Sequence, residues 1–164
     1  MASESAAFPV AQHGGPDAGG AAAHDFSTNG NAAGPCPAAV SALREADARH
    51  YPDPAYTALR NALAHFHAVH AERIVIAASA SEFIHRVSAA FAQAGGRDVR
   101  LPAHGYGDYA RAASAWGLQV LPNDAAETHH GVALRWCCEP SSPLGQAEPG
   151  LARHAAAPGL CVVD

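Results

Sequence analysis

The 164 residues carry a formal charge of −5, and all ten basic residues are arginine, so the chain contains no lysine. Hydrophobic residues make up 49% and charged residues 15%, a globular composition long enough for one ordinary domain with a core. An acidic chain without a basic stripe is not built to bind nucleic acid, and no run approaches the roughly 18 apolar residues of a membrane span.

Alanine supplies much of the apolar fraction while burying little area per residue, so the expected core is thin for its length. The arginine, alanine and glycine bias matches high-GC codon usage. Cys36, Cys137, Cys138 and Cys161 form no CxxC and read as small buried thiols in a reducing cytoplasm. Met1 to Val10 has neither a basic start nor a long apolar stretch, so no secretory leader is expected and a cytoplasmic location is.

Residues 1–35 are rich in Gly, Ala, Ser and Asn without periodicity and predict an irregular arm. Residues 36–70 predict a helical segment. Pro37 opens a first helix to about Arg49. Tyr51-Pro52-Asp53-Pro54 breaks it, and Asp53 caps a second helix, with Pro54 at its first position, running to about His70.

Residues 71–164 then alternate. Arg73-Ile74-Val75-Ile76 predicts a strand and Ser79 to Ala94 a helix with Phe83, Ile84, Val87 and Phe91 on one face. Strands follow at Asp98–Leu101, Leu118–Leu121, Val132–Cys137 and Leu160–Val163. Helices are predicted at Tyr106–Trp116, closed by Gly117, and at Gln146–Ala156. This alternation predicts an α/β fold with a mostly parallel sheet and flanking helices, whose ligands bind beyond the carboxyl ends of the strands.

Several residues at those ends could carry chemistry. In Ala78-Ser79-Ala80-Ser81-Glu82, small residues at a helix N-terminus suit an anion, and Ser79 or Ser81 with Glu82 equally suits a capping box. Tyr106 and Tyr109 suit either stacking on a flat ligand or packing. Asp164, ending an apolar strand, suits a helix cap or the partner of a cationic ligand. His65, His67 and His70 do not share one helix face and no HExxH is present, so no metal site is expected; His129-His130 reads as a solvated loop. GxSxG, GxxxxGK and GxGxxG are all missing from the sequence.

Taken in order, His13-Gly14-Gly15, Asp25-Phe26-Ser27-Thr28-Asn29, Gly34-Pro35, Tyr51-Pro52-Asp53-Pro54, Leu59-Arg60, Ser81-Glu82, Tyr106-Gly107-Asp108-Tyr109, Pro143-Leu144-Gly145 and Val162-Val163-Asp164 resemble the pyridoxal-phosphate-dependent class I/II aminotransferases. Within that superfamily the opening HGG, DFSTN and GP are most similar to threonine-phosphate decarboxylases of cobalamin biosynthesis, relatives of the histidinol-phosphate aminotransferases. The resemblance implies a large cofactor-binding domain of which residues 71–164 are an incomplete part. It implies that Ala80 and Ser81 hold the phosphate of pyridoxal 5'-phosphate, that Tyr106 stacks on its ring, and that Asp164 pairs with the ring nitrogen. Tyr51 would reach the phosphate in the neighbouring subunit of a homodimer, and the arm from Asn29 to Gly34 would line the side of a phosphorylated amino-acid substrate. Ser142 stands where relatives usually carry an asparagine that bonds the cofactor's phenolic oxygen.

The family holds its cofactor as a Schiff base with a lysine downstream of the aspartate. No catalytic residue of that kind lies in these 164 residues. The expectation is therefore an N-terminal part of a longer enzyme, inactive by itself, with an open sheet edge at Leu160–Val163 that promotes aggregation. The competing expectations are a non-catalytic remnant and an unrelated small α/β nucleotide-binding or His-rich metal protein.

Overall fold

The computed structural model describes residues 14–28, 30–124, 132–142 and 144–164. The chain divides into two compact units, the break falling between Ile76 and Ala77.

The first unit is built from turns and two short helices. The Asp25 carboxylate accepts from the Ser27 amide at 2.7 Å, the Ser27 hydroxyl at 2.6 Å and the Thr28 hydroxyl at 3.1 Å. Ser27 Oγ in turn accepts from the Gly15 amide at 2.9 Å. A Cβ on Gly14 would lie 1.9 Å from the Ser27 carbonyl oxygen, so only glycine lets the two segments approach this closely. α1 (Pro37–Glu45) begins on proline and ends where Ala46 turns extended, shorter than predicted. α2 (Thr57–Phe66) also starts late. Asp53 folds the preceding stretch into a turn, accepting from Ala55 N at 2.9 Å and Thr57 N at 2.8 Å, so it does satisfy the first helical amide. Pro54 lies in that turn rather than at the head of the helix.

Residues 71–73 form a single 3-10 turn, Ile74 is extended, and residues 74–76 join none of the strand ladders. The strand predicted there from its β-branched run is not formed. Such a run becomes a strand only by pairing, and the two sides of the first strand of the sheet are both taken by others.

The second unit is a four-stranded, wholly parallel sheet. α3 (Ala80–Gln93) leads into β1 (Asp98–Leu101). Then come α4 (Gly107–Ala115), β2 (Gln119–Pro122), β3 (Ala133–Cys137), α5 (Leu151–Ala156) and β4 (Gly159–Val163). The spatial order is β2-β1-β3-β4, with Val99 opposite both Val120 and Leu134, and Trp136 opposite Val162.

Side-chain alternation divides the sheet's two faces. Val99, Leu134 and Trp136 pack with Ile84 and Phe91 of α3 and Tyr109, Ala112 and Ala113 of α4 in one core. Arg100 and Arg135, paired in register, lie buried on the other face; their guanidiniums reach the carbonyls of Pro122 at 3.4 Å and Pro158 at 2.9 Å. All five residues of β3 are buried, as expected of a central parallel strand covered on both sides. Gly159, at φ +124, allows β4 to begin against β3, since a Cβ there would lie 2.1 Å from the Ala133 carbonyl oxygen.

Candidate functional site

The site residues are assembled at the N-termini of α3 and α4 and at the end of β4. α3 is capped by Ser79, whose hydroxyl accepts from the Glu82 amide at 3.1 Å, while the Glu82 carboxylate accepts from Ala78 N at 2.7 Å. Of the two caps the sequence allowed, Ser79 is the one used. That leaves the first-turn amides of Ala80 and Ser81, which have no intrahelical acceptor, and the Ser81 side chain.

The Ser81 hydroxyl lies 3.2 Å from the Tyr106 hydroxyl and donates to the Asp108 carboxylate. Asp108 is buried and also pairs with Arg111 one turn along α4. Tyr106, the residue that caps α4, is half-buried, and its ring meets Tyr109 edge-on with centroids 6.1 Å apart. Tyr109 is fully buried, stacks on Trp136 at 4.8 Å and 12°, and donates its hydroxyl to Asp164. Burial first, and then the Asp164 carboxylate, push the Tyr109 phenol well above its ordinary range, so it serves as a neutral donor. The Asp164 backbone is fixed to the end of β3, donating to Cys137 O at 2.9 Å and accepting from Glu139 N at 2.9 Å.

Ser81, Tyr106, Tyr109 and Asp164 thus form one continuous run of contacts, and Ala80 adjoins it in sequence. Ser142 is exposed, in the turn where Ser141 N reaches Gln146 O at 2.6 Å, and none of the hydrogen bonds joining that run involves it. Tyr51 and Gly34 lie in the first unit, Tyr51 exposed and Gly34 partly so at φ +81; Cys36, expected to be buried, is exposed there too. Asn29, Pro143 and the His129-His130 pair lie outside the described residues. A separate cavity of about 590 Å³ has His104, Asn123, Glu148 and His154 in its lining, together with Leu144 of the Pro143-Leu144-Gly145 segment, and includes none of the predicted cofactor- or substrate-binding residues.

Sequence reasoning did not single out Asp108 or Trp136. Asp108 looks like an ordinary first-turn acid favoured by the helix dipole; only its place between the two tyrosines of Tyr106-Gly107-Asp108-Tyr109 hinted at more. Trp136 stands in a strand with no polar pattern to mark it.

In open parallel α/β sheets ligands bind beyond the carboxyl ends of the strands, and it is at that end that this chain gathers a hydroxyl, stacked aromatics and a strand-end carboxylate. The chain belongs to the aminotransferase class I and II family, whose model matches residues 23–132. It is 36% identical over 100 residues to a histidinol-phosphate aminotransferase of Jannaschia sp. (strain CCS1), covering 58% of this chain and 28% of that protein. A histidinol-phosphate aminotransferase of Ruegeria sp. (strain TM1040) is 38% identical over 94 residues, covering 56% and 26%. The fold matches the crystal structure of a protein of Erwinia carotovora atroseptica assigned as a histidinol-phosphate aminotransferase, with TM-score 0.62, 24% identity, and coverage of 79% of this chain and 43% of that one. It also matches the L-threonine-O-3-phosphate decarboxylase of Porphyromonas gingivalis, with TM-score 0.55, 20% identity, and coverage of 69% and 37%. The matched stretches therefore account for little more than a quarter of the curated relatives' length.

Proposed function

We propose that this chain forms the phosphate, ring-face and ring-nitrogen side of a pyridoxal-phosphate site in a cytoplasmic, homodimeric enzyme that acts on a phosphorylated amino acid. The observation that carries the reading is the run of contacts from Ser81 through Tyr106 and Tyr109 to Asp164. That run joins a helix N-terminus suited to a phosphate, an aromatic ring suited to a pyridine face and a fixed carboxylate, which supports the reading. The residues present fit these three parts of the cofactor.

In this reading Ala80 and Ser81 bind the phosphate, Tyr106 covers the ring, and Asp164 holds the proton on the ring nitrogen. Tyr51 serves the phosphate of the partner subunit, Asn29 and Gly34 border the substrate, and Ser142 takes the place near the phenolic oxygen. When bound, the cofactor's protonated ring draws electron density from the substrate's α-carbon. No residue among the 164 is a lysine, so these side chains bind and orient but do not provide the amine the family uses, and the chain alone does not turn over.

The substrate reading rests on the opening segments. Gly14-Gly15 and Asp25-Phe26-Ser27-Thr28, packed on each other, resemble threonine-phosphate decarboxylases, which supports a decarboxylase of that type. The histidinol-phosphate aminotransferase relatives favour a second reading as a transaminase of that class.

Titration of the purified chain with pyridoxal phosphate, followed by its visible absorbance, tests the site. Binding is expected without any borohydride-reducible lysine adduct, and Asp164→Ala should weaken it at least about tenfold. Equal binding by native chain and variant would overturn the assignment of Asp164. Threonine phosphate and histidinol phosphate, added to the loaded chain, then distinguish the two substrate readings by which one alters the spectrum.

A further inference from the structure

The Ser81 hydroxyl has one proton to give, and it gives that proton to Asp108. The Tyr106 hydroxyl, 3.2 Å away, is then left to donate to Ser81 Oγ. A phosphate dianion offers only acceptors, so Ser81 cannot donate to it while bound to Asp108. Asp108 is 3% exposed, and a buried carboxylate beside an incoming phosphate also repels it. Arg111, on the other carboxylate oxygen, offsets part of that charge.

We propose that Asp108 sets the strength of phosphate binding at this site by competing for the Ser81 hydroxyl, with Arg111 moderating the competition. This rests on the reading that the α3 N-terminus receives the cofactor phosphate. Asp108 is then neither a phosphate ligand nor a packing residue but a built-in weakening device. Binding a phosphate-bearing ring requires Ser81 to exchange Asp108 for the phosphate, while a ring without a phosphate makes no such demand. Removing the carboxylate should therefore strengthen binding, the opposite of what damage to a structural contact would do.

The test compares pyridoxamine phosphate with pyridoxamine, by fluorescence titration of the 164-residue chain. Both probes lack an aldehyde, so neither reacts with the terminal amine. Native chain is expected to bind the phosphorylated probe more tightly; equal binding of the two would sink the phosphate reading itself, and this inference with it. Given that preference, Asp108→Asn should bind pyridoxamine phosphate about tenfold more tightly, from the lost repulsion and the weaker hold of a neutral acceptor on the hydroxyl, with pyridoxamine unchanged. Unchanged or weaker phosphate binding in a variant with native circular dichroism overturns the inference and leaves the phosphate reading standing. Should Asp108→Asn fail to fold, Arg111→Gln decides, with an expected loss of about threefold for the phosphorylated probe alone and no loss counting against the proposal. Ser81→Ala adds a coupling measurement. It should cost more phosphate affinity in the Asp108→Asn background than in the native one, and equal costs would contradict competition for the hydroxyl.

Discussion

The two units of this chain are stabilised by different physics. In the second, eight residues from α3, α4 and the two central strands close on one another together with Leu118, with Ile84, Val99, Tyr109, Leu134 and Trp136 at 1% exposure or less. In the first, Ala64 is the one buried hydrophobic residue among those described, while Leu43, Tyr51, Leu59 and Phe66 stand exposed. What organises the first unit is a set of aspartates, Asp25, Asp47 and Asp53, each accepting from amides or side chains two to four residues ahead. One unit is specified by volume and the other by local hydrogen bonds, so they should respond to different perturbations.

The largest expected difference follows from volume. Trp136→Ala removes a fully buried ring from beneath Tyr109 and should lower stability by about 3–5 kcal/mol. Phe66→Ala trims a side chain that is 81% exposed and should stay within about 0.5 kcal/mol. Urea titrations followed by far-UV circular dichroism compare the two, and similar losses would erase the contrast.

Alkali should separate the units next. Burial, reinforced by Cys161, pushes the Cys137 thiol up from 9.0 to about 12. Between those values the unfolded chain has released a proton that the folded chain retains, so unfolding gains relative stability as pH rises. The urea midpoint should therefore hold below pH 9 and fall as pH climbs toward 12, and Cys137→Ala should flatten that slope. A midpoint independent of pH across this window would contradict the burial of the thiol. Tyr109→Phe is a smaller change, keeping the stack on Trp136 while deleting the donor to Asp164. A loss of about 1 kcal/mol is expected, and it should vanish in an Asp164→Ala background, where no acceptor remains.

How much of this was legible follows the same division. Phe83, Ile84, Val87 and Phe91 at spacings of three and four marked the buried face of α3, because burial imposes a period on the sequence, and the alternating Asp98-Val99-Arg100-Leu101 and the apolar run at 160–163 marked strands. Ile74-Val75-Ile76 misled, since β-branched residues report a preference and not a partner. Asp53 was read as a cap, yet the helix begins later, because the turn between them is set by the left-handed backbone of Tyr56 at φ 51, which no residue type there announced. At the site, Ser81, Tyr106 and Asp164 were visible as polar or aromatic residues at strand ends. The links among them were not, because Asp108 and Tyr109 act across distances of 27 and 55 residues, and only the fold makes those short.

The smallest expected effect lies in the first unit and on the acid side. Hydrogen bonds from the Arg49 side chain and then its amide hold the exposed Asp47 carboxyl down from 3.8 to about 2. The guanidinium meets both carboxylate oxygens, Nε and one terminal nitrogen each at 2.8 Å. A lowered pKa means that the contact contributes in full above pH 3.8 and is lost as pH falls through 2. Because both partners are in water, the energy involved is small, and the second unit should not register it. Carbon-detected NMR of the Asp47 carboxyl should show a midpoint near 2, moving back toward 3.8 in Arg49→Ala, with the signals of Trp136 and Tyr109 unmoved throughout. A midpoint already at 3.8 in the native chain would mean that this turn is held by its backbone alone, and the first unit would then lose one of the three aspartates that distinguish it from the second.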